Sequence, residues 1–151
     1  MRMADETSDR GLVAAAGPVT RQTARATIAV RNSETRRYDE SGGPALAELS
    51  LNETFAGDWE GDSTVKALQL LREDGSATMV SLQRFRGTLG GRRGSFVLEG
   101  RESIADKRIS ATWSVVPGSG TEGLAGLRGE GGFEGAFGKG SIGTLDYWFE
   151  E

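Results

Sequence analysis

The sequence predicts an all-β domain, an antiparallel barrel of about eight strands. Three observations carry that reading. Short runs of alternating apolar and polar residues recur along the chain, each bounded by turn residues. Glycine supplies 23 of the 151 residues against 3 prolines, and glycine is costly inside helices but useful at turns, bulges and strand kinks. No stretch has a convincing amphipathic-helix pattern. A chain of this length holds one domain with a real core.

Residues 1–21 are polar and Ala/Thr-rich without alternation, and read as a flexible tail or a lid over one end of the domain; residues 22–151 form the single barrel domain. Ala24 to Val30 is strand-like, and Arg31 to Pro44, ending Ser41-Gly42-Gly43-Pro44, reads as a polar loop. Leu46 to Phe55 alternates, with Leu49, Leu51 and Phe55 on one parity and Glu48, Ser50, Asn52 and Thr54 on the other. After the turn Ala56-Gly57-Asp58, Trp59 to Leu71 is the next strand. Asp74-Gly75 between two apolar runs is a hairpin signal. It leads into Ala77 to Leu89, where Met79, Ser81, Gln83 and Phe85 share a face. Gly90-Gly91-Arg92-Arg93-Gly94 turns the chain into Ser95 to Gly100, and Glu102 to Lys107 reads as a polar connection. Arg108 to Val116, Arg128 to Phe137 and Gly143 to Glu150 complete the strands. Glycines inside strands, Gly61 and Gly87 among them, favour a tightly curved barrel over a sandwich. Eight strands leave an interior that side chains fill or that holds one small ligand.

Composition removes several kinds of chemistry. With no histidine and no cysteine there is no Ser-His-Asp triad, no thiol nucleophile, no disulfide and no His- or Cys-ligated metal. A net charge of -4 argues against nucleic acid as a partner, because phosphate binding needs a basic face. No run approaches the roughly 20 apolar residues of a membrane-spanning helix, and Leu12 to Ala16 is too short and too acidic on its N-terminal side for a secretory leader. A cytoplasmic protein that needs no cofactor is the expectation. Gly118-Ser119-Gly120-Thr121-Glu122-Gly123 matches a dinucleotide-binding pattern in form only. The glycines at 126, 129, 131 and 132 leave no room for the helix that would meet a pyrophosphate.

What remains is carboxylates, amides, aromatics and the shape of a cavity. Glu99 and Glu134 stand in strands among small or apolar residues. Parity leaves two readings, a solvated outward acid or a lumen acid whose raised pKa suits proton transfer. Gln83 shares its face with Met79, Ser81 and Phe85, and its amide there would hydrogen-bond a bound carbonyl. Trp113 and Tyr147 are the aromatics expected nearest a cavity, with Trp59 and Ala67 also expected on its wall. Arg84, Arg86, Arg92 and Arg93 cluster around one hairpin, as a solvated rim or as a means of steering an anion to the mouth.

Several blocks resemble a bacterial family of unknown function, DUF3224: Asp39 to Pro44, Glu53 to Glu60, Arg72 to Ala77, Arg84 to Leu98, Trp113 to Phe133 and Thr144 to Tyr147. The resemblance implies an allene-oxide-cyclase-like, calycin-type barrel and no assigned reaction. Members of that family commonly carry Trp at Ser33, Glu at Gln83 and an aromatic at Ala67, which implies a roomier and less acidic cavity here. The wider superfamily includes cofactor-free cyclases that hold a flexible polyene in a reactive shape. By that analogy the chain is expected to bind an apolar, polyketide- or polyene-like molecule and to cyclise or isomerise it in secondary metabolism. The alternative is a carrier that leaves its ligand unchanged. A homodimer joined through exposed strand edges is a further expectation.

Overall fold

The computed structural model of the protein describes residues 20–136 and 140–150. Eight strands run in order: β1 (Gln22–Asp39), β2 (Ala45–Gly57), β3 (Trp59–Leu71), β4 (Ala77–Leu89), β5 (Arg92–Ala105), β6 (Arg108–Val115), β7 (Leu127–Ala136) and β8 (Ser141–Phe149). Each pairs antiparallel with the next, and β8 returns to β1 to close a barrel. The one helical element among the described residues is the 3-10 turn Glu122–Leu124. That turn occupies the glycine-rich stretch, which therefore offers no helix N-terminus to a phosphate.

The pairing fixes an open end and a closed end. The tips 40–44, 72–76 and 106–107 lie at one end, the mouth. The connections at 58, 90–91 and 116–126 lie at the other. The loop 116–126 folds across the closed end. Leu124 and Leu127 are buried, and Thr121 bonds Ser95 through its amide (2.9 Å) and accepts the Ser95 amide at its own hydroxyl (3.0 Å).

β8 meets β1 only over Gln22–Ile28, so from Ala29 onward β1 pairs with β2 alone, with a register break between Val30 and Asn32. Two sequence expectations are corrected by these bounds. The polar segment from Arg31 is strand as far as Asp39, and Glu102 belongs to β5, which runs on to Ala105. The tail expected over residues 1–21 lies, apart from Thr20 and Arg21, outside the described residues, as does Phe137.

Inward-facing residues occupy two levels. Near the closed end a cluster of rings fills the lumen. Trp59 packs on Phe55 (4.7 Å between centroids), Phe85 (5.5 Å), Phe96 (6.2 Å) and Trp113 (5.8 Å). Burying each such ring contributes about 1.5–3 kcal/mol, and tilted or edge-on pairs add to that. The barrel bends tightly at this level where Gly61 and Gly87 face each other across β3 and β4 with φ of 154° and 155°. A Cβ on either would strike the carbonyl oxygen of Arg86 or Glu60 respectively, so only glycine lets these backbones approach. Toward the mouth the inward side chains are smaller or polar, and the lumen opens.

Candidate functional site

The open half of the lumen is a cavity of about 520 Å³, within the range of small-molecule sites. Its wall is largely apolar, with Ile28, Leu49, Leu51, Val65, Ile109 and Phe133 among its residues. Strand register stacks the polar residues in rows across the wall. Gln69, Met79 and Glu102 are direct partners on β3, β4 and β5. Ala67, Ser81 and Gly100 form the row below, followed by Val65, Gln83 and Leu98. Glu53 on β2 pairs with Ser63 on β3, at the height where the cavity meets the aromatic floor. Phe133 bridges the two levels, lining the cavity while packing on Trp113 at 5.3 Å.

Two separate hydrogen-bonded groups result. The Gln83 amide nitrogen donates to Glu53 Oε1 (2.7 Å) and to Ser63 Oγ (2.7 Å), and the Ser63 hydroxyl donates more weakly to the same Glu53 oxygen (3.4 Å). From the row below, the Ser81 hydroxyl donates to Glu102 Oε2 (2.6 Å), while in the row of Glu102 itself Gln69 Nε2 rests on Met79 Sδ (3.0 Å). Glu102 Oε1 and Gln69 Oε1 are buried without a partner. Among the described residues neither Glu53 nor Glu102 forms an ion pair; the pairs present lie on the exterior.

Burial sets the acidity of both carboxyls. Leaving water raises Glu53 to about 7 against the opposing hydrogen bonds from Gln83 and Ser63, and the charge of Glu102 adds to the rise. Burial likewise raises Glu102, with the Ser81 bond opposing it. The lumen thus holds an acid that exchanges a proton near neutrality. Among the described residues no three or more His, Cys, Asp or Glu side chains gather as a metal site.

The residues singled out from the sequence lie at several levels of the barrel. Met79, Ser81, Gln83 and Ala67 line the cavity. Both N–H groups of Gln83 are committed to Glu53 and Ser63, so the amide holds an acid in place rather than waiting for a carbonyl. Phe85 and Trp59 point inward but belong to the floor, fully buried. Trp113 lies in that floor too, its indole N–H donating to the Thr144 carbonyl (3.0 Å). Tyr147 is at the closed end, donating to Gln22 Oε1 (3.2 Å).

Glu99 and Glu134 face outward and are exposed, each one residue off the inward parity, and have no access to the lumen. The arginines at 84, 86, 92 and 93 flank the closed end, away from the mouth. Four polar residues of the lumen are not among the candidates read from the sequence: Glu53, Ser63, Gln69 and Glu102. The signal for Glu53 was present, since it shares parity with Leu49, Leu51 and Phe55. Glu102 was hidden by the early end assigned to its strand.

The fold and the site define a closed antiparallel barrel whose open half is an apolar chamber carrying two acids, Glu102 buried and Glu53 partly buried. The chain belongs to the family described as "Protein of unknown function (DUF3224)", whose model matches residues 24–150. The crystal structure of a DUF3224-family protein of unknown function from Shewanella oneidensis MR-1 is similar to it, at 28% identity and a TM-score of 0.70. That match covers 89% of this chain and 99% of the other. No curated protein matches. Among the described residues no helix is long and apolar enough to cross a membrane.

Proposed function

We propose that the chamber binds a small molecule with a largely apolar body and that Glu53 serves as its general acid and base in a cofactor-independent isomerisation or cyclisation. The observation that carries this reading is Glu53 itself, fixed by Gln83 and Ser63 at the foot of an apolar cavity with a pKa of about 7. A group tuned to the ambient pH both accepts and returns a proton readily. The floor of packed rings gives the substrate a rigid surface, and confinement supplies orientation. An isomerisation then needs only that Glu53 take a proton at one carbon and deliver it at another. Polyketide- and polyene-like molecules suit such a chamber in size and polarity.

A second reading is a carrier. It is favoured by the row Gln69, Met79 and Glu102, which has unpartnered acceptors suited to holding a ligand without reacting. One experiment separates the two. The pure protein is incubated with an extract of its host, and the bound compound is compared with the free pool by mass and retention time. A compound of unchanged mass but altered retention, formed by the wild type and not by Glu53→Gln, supports catalysis. A compound identical to the free pool supports the carrier, and an empty protein removes both readings.

A further inference from the structure

We infer that the ligand of this chamber carries a positively charged, hydrogen-bond-donating head, of the class of a primary or secondary ammonium, on its apolar body. The inference rests on the chamber being a ligand site and adds what that ligand must present. It follows from an inventory of what the wall leaves free. The hydroxyl protons of Ser63 and Ser81 and both protons of the Gln83 amide are directed to acceptors on the wall itself. In the Gln69–Met79–Glu102 row the buried atoms left unpartnered are both oxygens, Glu102 Oε1 and Gln69 Oε1, on side chains only 8% and 9% exposed; the unpartnered donor among the described residues, Trp59 Nε1, lies in the floor. Leaving a buried acceptor unmet is costly, and more so for a charged one. These oxygens flank Met79 on adjacent strands, one from each side.

Charge points the same way. Two carboxyls stand on one wall, and no cation among the described residues neutralises either. Among the described residues the one basic side chain on the cavity wall, Arg31, is exposed on the upper, outlying part of β1. A carboxylate ligand would meet like charge and bare acceptors. A neutral alcohol would satisfy a single acceptor and leave the charge. An ammonium supplies up to three donors together with the missing charge. The apolar stem then lies against Leu49, Leu51 and Ile109.

The test uses probes matched in chain length. Decylamine, decanol and decanoate are titrated below their micellar concentrations into the full chain, each competing with the neutral dye Nile red. Decylamine is expected to displace the dye best and decanoate worst. Glu102→Gln, which keeps the shape and removes the charge, is expected to weaken decylamine about tenfold while leaving decanol nearly unchanged. Decanoate binding as tightly as decylamine, or decylamine indifferent to Glu102→Gln, overturns the inference. Ala67→Trp fills the chamber and is the control for the underlying reading, with Leu49→Phe in its place if that variant does not fold. Dye bound by the wild type and lost on filling, with no preference for the amine, leaves the chamber a ligand site and sinks the charged head. A wild type that takes up neither dye nor any probe sinks both.

Discussion

Consider Glu53→Gln, followed by urea denaturation at a series of pH values between about 5 and 8. An acid whose pKa is higher in the folded than in the unfolded state keeps its proton longer in the native protein. Glu53 moves from 4.5 to about 7 on folding. Between those values the native state binds more protons than the unfolded chain, so stability falls as pH rises through the window and levels off above it. Integrated from pH ~5 to pH ~8, the shift corresponds to a loss of about 2–3 kcal/mol. Glu102, also raised by burial, adds a fall of the same sign that persists in the variant. Asp39 and Asp74, held low by Ser41 and Ser76, titrate below the window and do not disturb it. Glutamine at position 53 still offers the Gln83 amide an acceptor but never ionises. The variant is therefore expected to match the wild type near pH 5 and to exceed it near pH 8. Wild-type and variant curves that run parallel across the range would refute the assignment of a partly buried, proton-exchanging Glu53.

Three other outcomes follow from the packing. Gly87→Ala forces a Cβ against the Glu60 carbonyl at a positive φ, and is expected to cost about 3 kcal/mol or more, or to prevent folding, as read by thermal melting. Phe85→Ala opens a cavity among Phe55, Trp59 and Phe96, with an expected loss of about 3–5 kcal/mol in chemical denaturation. Glu99→Gln and Glu134→Gln change exposed outer-face acids, so stability is expected to stay within about 0.5 kcal/mol and probe binding to be unaltered. A loss of probe binding in either would contradict the outward placement.

How much of this was legible in the sequence depends on where each strand sits relative to the core. β3 and β4 agree with the sequence reading at both ends, because each is bounded by turn residues and one face is buried along its length. β1 was cut short at Val30 because beyond that point both of its faces are exposed, Val30 and Tyr38 at 50% and 49%. Alternation records burial, and where nothing is buried it falls silent. β5 failed for a related reason at Glu102. An inward acid interrupts the apolar parity by which a strand is recognised, so the residue of most chemical interest reads as the start of a loop. Glu53 shows the remedy, since its parity with Leu51 and Phe55 outranks its polarity.

Parity still says only inward or outward. It does not say at what height along the barrel axis a residue lies, and that height separates Met79 and Ser81 in the chamber from Phe85 and Trp59 in the floor. Height depends on the register between strands and on the tilt that closes the ring, which is a property of all the strands together. Residues of one face therefore divide between packed floor and open chamber in a way no single strand's sequence records. The division is physical all the same, because large rings seal the end that the 116–126 loop covers, while small and polar residues leave room at the end it does not.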